Sequence, residues 1–220
     1  MTWANFREEK KLWKQGYQFV ACIDEAGRGP LAGPVVACAV VLTKPSLGHP
    51  KLGLSKLRDS KKLSPKRREE IYAKIMHHHG IWWGIGIVSE TVIDKINIFQ
   101  ATRLAMKKAL ANLQKKTPVD FLIVDGNKKL SFMNMPCKAI VKGDEKVFSC
   151  ALASIIAKVT RDRMMLRYHK KYPQYGFDRH KGYGTKLHFT MLKKYGPCEI
   201  HRKSFAPMNK NPKFKVQNPK

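Results

Sequence analysis

Short apolar runs alternate with longer stretches of helical spacing along this chain of 220 residues. Phe19-Val-Ala-Cys-Ile23 is a brief apolar run that leads into Asp24-Glu25, and a Gly/Pro-rich turn follows over 26–34. Val35-Val-Ala-Cys-Ala-Val-Val-Leu42 is short and β-branched, which predicts a strand rather than a helix. Residues 43–63 read as a basic loop. Ser64 as N-cap and Pro65 as first helical residue predict a helix from there to residue 79, stopped by Gly80. Ile81-Trp-Trp-Gly-Ile-Gly-Ile-Val88 returns as a third strand, with the tryptophan pair expected to reach the core on one side.

From 90 to 116 the apolar residues Ile93, Ile96, Phe99, Leu104, Ala105, Ala109 and Leu113 recur at helical spacing, which predicts two helices. Pro118 resets the chain, and Val119-Asp-Phe-Leu-Ile-Val124 is a strand ending at Asp125-Gly126. A fifth strand over 137–141, a long helix over 145–171, a glycine-containing loop over 176–184 and a last helix over 185–195 complete the pattern. The order predicts one α/β domain over 19–205, a mixed sheet of about five strands flanked by helices. Residues 1–18 form a helical extension. Residues 206–220 hold three prolines and four lysines with few apolar residues, which reads as a flexible basic tail. No internal repeat is visible.

Charge narrows the partners. Lys and Arg number 43 against 16 Asp and Glu, a formal charge of +27, while 43% hydrophobic residues supply a core. Such a surface concentrates polyanions, either nucleic acid or an anionic membrane surface. No run approaches the ~18 consecutive apolar residues of a membrane span, and the first residues lack the apolar core of a signal peptide, so nothing suggests export. The five cysteines (Cys22, Cys38, Cys137, Cys150, Cys198) form no CxxC pair. They predict neither a zinc site nor a disulfide framework and fit a reducing cytoplasm. The high charge favours a monomer.

Two predicted strands end in carboxylates, Asp24-Glu25 and Asp125. A charge placed where solvation is being lost must be paired or must bind a cation. If the strands are parallel neighbours, Asp24 and Asp125 meet, and hard Mg²⁺ or Mn²⁺ suits an oxygen-only ligand set. The competing reading is two ordinary strand ends meeting solvent. In a regular strand Asp24 and Glu25 point to opposite faces, so Glu25 is expected past the strand end or reaching by its extra methylene. Gly27-Arg-Gly-Pro-Leu-Ala32 imitates a dinucleotide-binding loop, but that motif needs a helix after it, and here a strand follows. Glycines instead suit close approach of backbone to a ligand, with Arg28 aimed at a phosphate. His77-His-His79 lies on a predicted helix, where neighbouring side chains diverge and cannot share one ion.

The strings Asp24-Glu-Ala-Gly-Arg-Gly-Pro-Leu-Ala-Gly-Pro34, Asp59-Ser-Lys-Lys-Leu63, Val124-Asp-Gly126, Lys142-Gly-Asp-Glu145 and His180-Lys-Gly-Tyr-Gly-Thr185 occur in that order over about 19–200. Together they resemble the signatures of the ribonuclease HII family. The resemblance implies a ribonuclease H-like fold and endonucleolytic cleavage of RNA in RNA–DNA hybrids. It also implies incision at single ribonucleotides in duplex DNA, leaving 5′-phosphate and 3′-hydroxyl ends. By motif, Asp24, Glu25, Asp125 and Asp144 hold two divalent ions, Mn²⁺ or Mg²⁺. Gly27, Arg28 and Gly29 contact the 2′-hydroxyl at the RNA-to-DNA junction, and Tyr183 stacks on the following sugar. Ser60, Lys61 and Lys62 grip a phosphate, with a solvated basic face as the alternative. Asp144 competes with a plain role as N-cap of the long helix.

Two rivals fit part of the pattern. A non-catalytic basic nucleic-acid or ribosome-associated protein matches the charge and tail but not the strand-end carboxylates. A transposase- or resolvase-type nuclease shares the fold but would not need a ribonucleotide. A sliding-clamp partner leaves no readable sign in the sequence.

Overall fold

The computed structural model describes residues 4–42, 63–126 and 135–209. Its mixed sheet has the spatial order β3-β2-β1-β4-β5, formed by β1 (Val20–Ala26), β2 (Val35–Leu42), β3 (Ile81–Val88), β4 (Phe121–Asp125) and β5 (Cys137–Ile140). β1, β2 and β3 pair antiparallel, whereas β1, β4 and β5 pair parallel. Every residue of β2 is buried, which is why its sequence is an unbroken apolar run; alternate side chains serve two faces. Val36, Val40 and Leu42 pack with α2 (Pro65–Met76) and α5 (Phe148–Lys171). Val35, Ala37, Ala39 and Val41 pack against α3 (Glu90–Gln114). The sheet is therefore a middle layer between helices, the ribonuclease H-like arrangement that the motifs imply.

Local chemistry accounts for the boundaries. Ser64 Oγ accepts a hydrogen bond from Arg67 N at 3.2 Å, so α2 starts as predicted. It ends at Met76 rather than 79, because His78 Nδ1 accepts from Gly80 N at 3.0 Å and turns the chain early. α3 is two helices across a break at Asn97, whose φ of 65° is left-handed. Asn97 Oδ1 accepts from Phe99 N and Gln100 N at 2.9 and 3.1 Å, capping the second half. Where α3 crosses edge strand β3, Gly84 and Gly86 allow direct backbone contact; a Cβ on Gly86 would collide with the Ala105 carbonyl. Trp82 is exposed on this strand, and Trp83 packs partly against the α2–α5 side.

The predicted long helix divides into α4 (Gly143–Lys146) and α5, because Val147 between them is extended and bridges to Asn5. The N-terminal stretch is docked at that joint. Asn5 N donates to the Lys146 carbonyl at 3.0 Å and Phe148 N donates to the Asn5 carbonyl at 3.1 Å. From α1 (Arg7–Lys14), buried Glu9 accepts from Ser149 N and Oγ at 3.0 and 2.8 Å, closing the first turn of α5. The loop over 176–184 contains α6 (Phe177–His180), and α7 (Lys186–Tyr195) starts at Thr185, whose Oγ1 accepts from His188 N at 3.3 Å. Met208 is buried with Leu31 and Ile200, so packed chain continues past 205. Cys22 and Cys150, expected to be separate thiols, are instead paired across β1 and α5 with their Cα atoms 5.0 Å apart. Their separation of 128 residues hid the contact. Gly86→Ala is expected to lower the unfolding free energy by about 1–3 kcal/mol, the usual cost of overpacking, read from urea denaturation; an unchanged midpoint would contradict the close α3–β3 packing.

Candidate active site

The parallel register of β1 and β4 places Val20 beside Phe121 and Ile23 beside Val124. The next residue on each strand is a carboxylate, so Asp24 and Asp125 meet at the strand ends. Asp144 arrives from α4: Lys142 takes a left-handed conformation (φ 57°), and Gly143 N donates to Asp125 Oδ1 at 2.7 Å. Asp24, Asp125 and Asp144 then offer carboxylate oxygens all within 4.8 Å of one another, with Asp24 and Asp144 buried. Burial pushes the Asp24 carboxyl well above its ordinary range, and the negative charges of Glu25 and Asp125 push the same way. Hydrogen bonds from the Ser154 hydroxyl and the Glu25 backbone N–H work against that shift. Crowded, buried oxygen donors of one charge sign fit a divalent cation.

The structure removes one alternative for each of two residues, leaving for Glu25 the reach by its extra methylene. β1 continues through Glu25, which pairs with Ala37 of β2, so Glu25 does not lie past the strand end. Its carboxylate meets Arg28 Nη1 at 3.2 Å and stands outside the three-aspartate cluster. Asp144 is not the N-cap of the long helix either: Lys142 precedes α4, Val147 precedes α5, and neither helix has a side-chain cap from Asp144.

The glycine loop is held from inside by two arginines that sequence reasoning missed. Arg161 on α5 donates from Nε to the Pro34 carbonyl, from Nη2 to Ala32 and from Nη1 to Lys181, each at 3.0 Å. Arg202 donates to the carbonyls of Gly33 (2.9 and 2.8 Å), Arg28 (3.0 Å) and Gly27 (2.6 Å). Both side chains are fully buried, and burial lowers the pKa of each, with the charge of Arg161 adding to the effect at Arg202. Carbonyl dipoles stand in for the lost water. Gly27, at φ 95°, sits where a Cβ would overlap the Arg161 guanidinium, so the loop and its buried cation require glycine there. Nothing in the sequence marks either arginine as buried, since cations on a helix or in a basic terminal stretch ordinarily face solvent.

Tyr183 stands beside this loop with 42% of its surface exposed. A Cβ on Gly29 would lie 3.9 Å from its ring, and Leu31 N donates to the Gly182 carbonyl at 2.8 Å. A histidine relay supports the tyrosine from below. Cys198 N donates to His201 Nδ1 at 2.9 Å, so His201 carries its proton on Nε2 and donates to His188 Nε2 at 3.0 Å. His188 then donates from Nδ1 to the Tyr183 carbonyl at 2.9 Å. His180 accepts from Gly182 N and donates to the Tyr175 carbonyl. Each ring is neutral in this pattern. Burial depresses His188 to about 4 and His201 to about 3, with nearby histidines pushing the same way.

The structure therefore brings together Asp24, Asp125 and Asp144, with Glu25, Gly27, Arg28, Gly29 and Tyr183 on adjoining elements. Ser60, Lys61 and Lys62 lie outside the described residues. His77 is the C-cap of α2 and belongs to no metal cluster among the described residues.

Comparison with known proteins follows the same lines. The family model described as ribonuclease HII matches residues 21–208. A ribonuclease HII of Caldicellulosiruptor bescii is 50% identical over 200 residues, covering 91% of this chain and 92% of its own. In structure, the chain is similar to ribonuclease H2 from Pyrococcus horikoshii OT3, with a TM-score of 0.69, 26% identity, and coverage of 87% and 96% of the two chains. It is also similar to the RNase HII of Archaeoglobus fulgidus solved in complex with PCNA, with a TM-score of 0.67, 26% identity, and coverage of 92% and 98%.

The relay makes a pH prediction. Histidines held neutral when folded bind fewer protons than in the unfolded chain, so stability falls as pH drops below the ordinary value near 6.5 and levels off near 4 and 3 for the two residues. His188→Gln should flatten the decline of unfolding free energy between pH 6.5 and 4 by up to about 1.4 kcal/mol per pH unit. Parallel declines in both proteins, followed by chemical denaturation, would contradict the neutral relay.

Proposed function

The chain belongs to the ribonuclease HII family and is an endoribonuclease of the ribonuclease H type, and on that premise we propose its substrate and cut. It hydrolyses the RNA strand of RNA–DNA hybrids and incises at single ribonucleotides embedded in duplex DNA. Water adds to phosphorus as the bond to the 3′-oxygen breaks, giving 3′-hydroxyl and 5′-phosphate ends. What carries this reading is one juxtaposition: three clustered carboxylates beside a glycine loop and an exposed tyrosine, on a strongly basic chain.

Asp24, Asp125 and Asp144 would hold divalent ions, Mg²⁺ or Mn²⁺, with Glu25 as the fourth carboxylate. Such ions, when bound, supply Lewis acidity toward phosphate oxygens and an activated nucleophile at neutral pH. The chain's own residues do the rest. Backbone at Gly27, Arg28 and Gly29 approaches the minor groove, where the 2′-hydroxyl distinguishes RNA from DNA. Buried Arg161 and Arg202 fix that backbone, so recognition does not depend on a mobile loop. Tyr183 presents its ring for stacking on the next sugar, and Lys61 and Lys62, with Ser60, add phosphate contacts. The reading places the enzyme in the cytoplasm as a DNA-repair nuclease. The PCNA complex of the archaeal relative supports a sliding clamp as a further partner.

The test is cleavage of a labelled DNA duplex carrying one ribonucleotide, with Mg²⁺, Mn²⁺ or EDTA, beside an all-DNA control. A metal-dependent nick on the 5′ side of the ribonucleotide is expected, with the control uncut. Asp24→Asn and Asp125→Asn should each abolish cleavage while hybrid binding survives. Tight binding without any cut would favour a non-catalytic binding protein, and cutting of the all-DNA control would favour a nuclease of another specificity.

A further inference from the structure

Beyond Tyr183, α2, α5 and the turn after α6 enclose a cleft of about 450 Å³. Five cations line it, Lys66, Arg68, Lys158, Arg179 and Lys181, against two acids. Glu69 pairs at 2.6 Å with Arg163, which lies outside the cleft, whereas Asp162 pairs with Lys158 within it at 2.8 Å, so the cleft keeps an excess of positive charge. The surplus of positive charge is concentrated in a concave space rather than spread over a solvated face, and concavity focuses the field.

Lys181 is the centre of this arrangement. Its backbone is left-handed (φ 50°, ψ 31°) where it caps the C-terminus of α6, a helix ending that costs lysine more than glycine. Arg161 Nη1 fixes it there through the Lys181 carbonyl at 3.0 Å, and Lys181 Nζ donates to the Asp178 carbonyl. Burial lowers the ammonium pKa; Lys158 and Arg68 push the same way, while Asp162 and Asp178 oppose. Strained backbone and crowded like charges both cost stability, and such costs concentrate where a ligand is received.

Position along α5 relates the cleft to the carboxylates. Ser154, whose hydroxyl bonds Asp24, is four residues before Lys158 and eight before Asp162. At 1.5 Å per helical residue those steps are about 6 and 12 Å. One strand of a duplex presents a phosphate about every 3.4 Å of axis, so the cleft lies within a few nucleotides of the reacting bond. Tyr183 is one of the residues that line the cleft.

We propose that this cleft is a phosphodiester subsite that takes one backbone phosphate of the substrate duplex, a few nucleotides from the bond that is cut, with Lys181 and Lys158 as its principal donors. The proposal rests on the reading of the carboxylate site as a nuclease acting on a duplex, and it adds the means by which a lone ribonucleotide is held in register. An anchor at a fixed distance lets a single 2′-hydroxyl be presented to the glycine loop without a long RNA tract to grip.

The test is a binding scan in Ca²⁺ using duplexes with one ribonucleotide and a single neutral methylphosphonate moved along each strand. Wild-type protein should lose affinity about tenfold at one position a few nucleotides from the ribonucleotide, the order of one charge-assisted contact. Lys181→Gln should lose about as much on the unmodified duplex, show no further loss at that position, and lower the salt slope of binding by about one. Lys181→Arg should restore both, and Lys158→Gln provides a second variant free of the left-handed backbone. A scan in which the variants stay as sensitive as wild type at every position overturns the proposal. So does a flat wild-type scan in which inorganic phosphate alone raises the melting temperature of wild type but not of Lys181→Gln, since that marks a free-ion site. Because the scan reads binding, a wild type that binds with this pattern yet cuts nothing refutes the nuclease reading and not the subsite.

Discussion

Parallel pairing of β1 with β4 forces two aspartates side by side where the sheet ends, and a third is swung toward them by the turn at Lys142. Electrostatics alone would scatter three such carboxylates. The fold instead buries two of them and holds Asp24 in a state where ionisation is disfavoured by desolvation and by its neighbours. Without a cation that arrangement costs stability, and on the proposed reading a divalent cation would offset the cost. The antiparallel half of the sheet supplies the resistance. β2 is buried along its whole length between two helical layers, so β1 cannot shift its register to relieve the strain at its end.

The glycine loop and the Tyr183 turn are built on a different device. Arg161 and Arg202 lie inside the protein and spend their donors on backbone carbonyls of the 27–34 loop and the Tyr183 turn. Two buried cations are tolerated because fixed carbonyl dipoles surround their forks. The histidine relay anchors the same turn from the other side, through the Tyr183 carbonyl. Glycine loop, Tyr183 turn and Asp24 are thereby tied to α5 through Arg161 and Ser154. The N-terminal helix takes part as well, since Glu9 closes the first turn of α5 just after Asp144.

Local signals in the sequence reached far into this structure. The β-branched runs marked the strands, Ser64 marked a helix start through its capping hydroxyl, and the apolar spacing over 90–116 implied two helices, though not that Asn97 divides them. Asp24 and Asp125 were visible because each closes an apolar run. What stayed hidden depends on long-range packing. Arg161 and Arg202 look like ordinary surface cations until the loop carbonyls that receive them are placed. His188 and His201 are 13 residues apart, and Cys22 meets Cys150 only through the docking of α5 on β1. The split between α4 and α5 was missed for the same reason: Val147 is extended because Asn5, far away in sequence, pairs with it.

The central claim is that the aspartate cluster exists to bind a divalent ion at the expense of stability without one. Thermal denaturation at neutral pH, with EDTA and then with saturating Mn²⁺, tests it directly for wild type and Asp24→Asn. In EDTA the variant should melt above wild type, because it removes an ionisable carboxyl whose charged form the fold disfavours. Mn²⁺ at about a hundred times its dissociation constant should stabilise wild type by about 2.7 kcal/mol and leave Asp24→Asn nearly unchanged. A wild type indifferent to Mn²⁺, or a variant less stable than wild type in EDTA, would contradict the account.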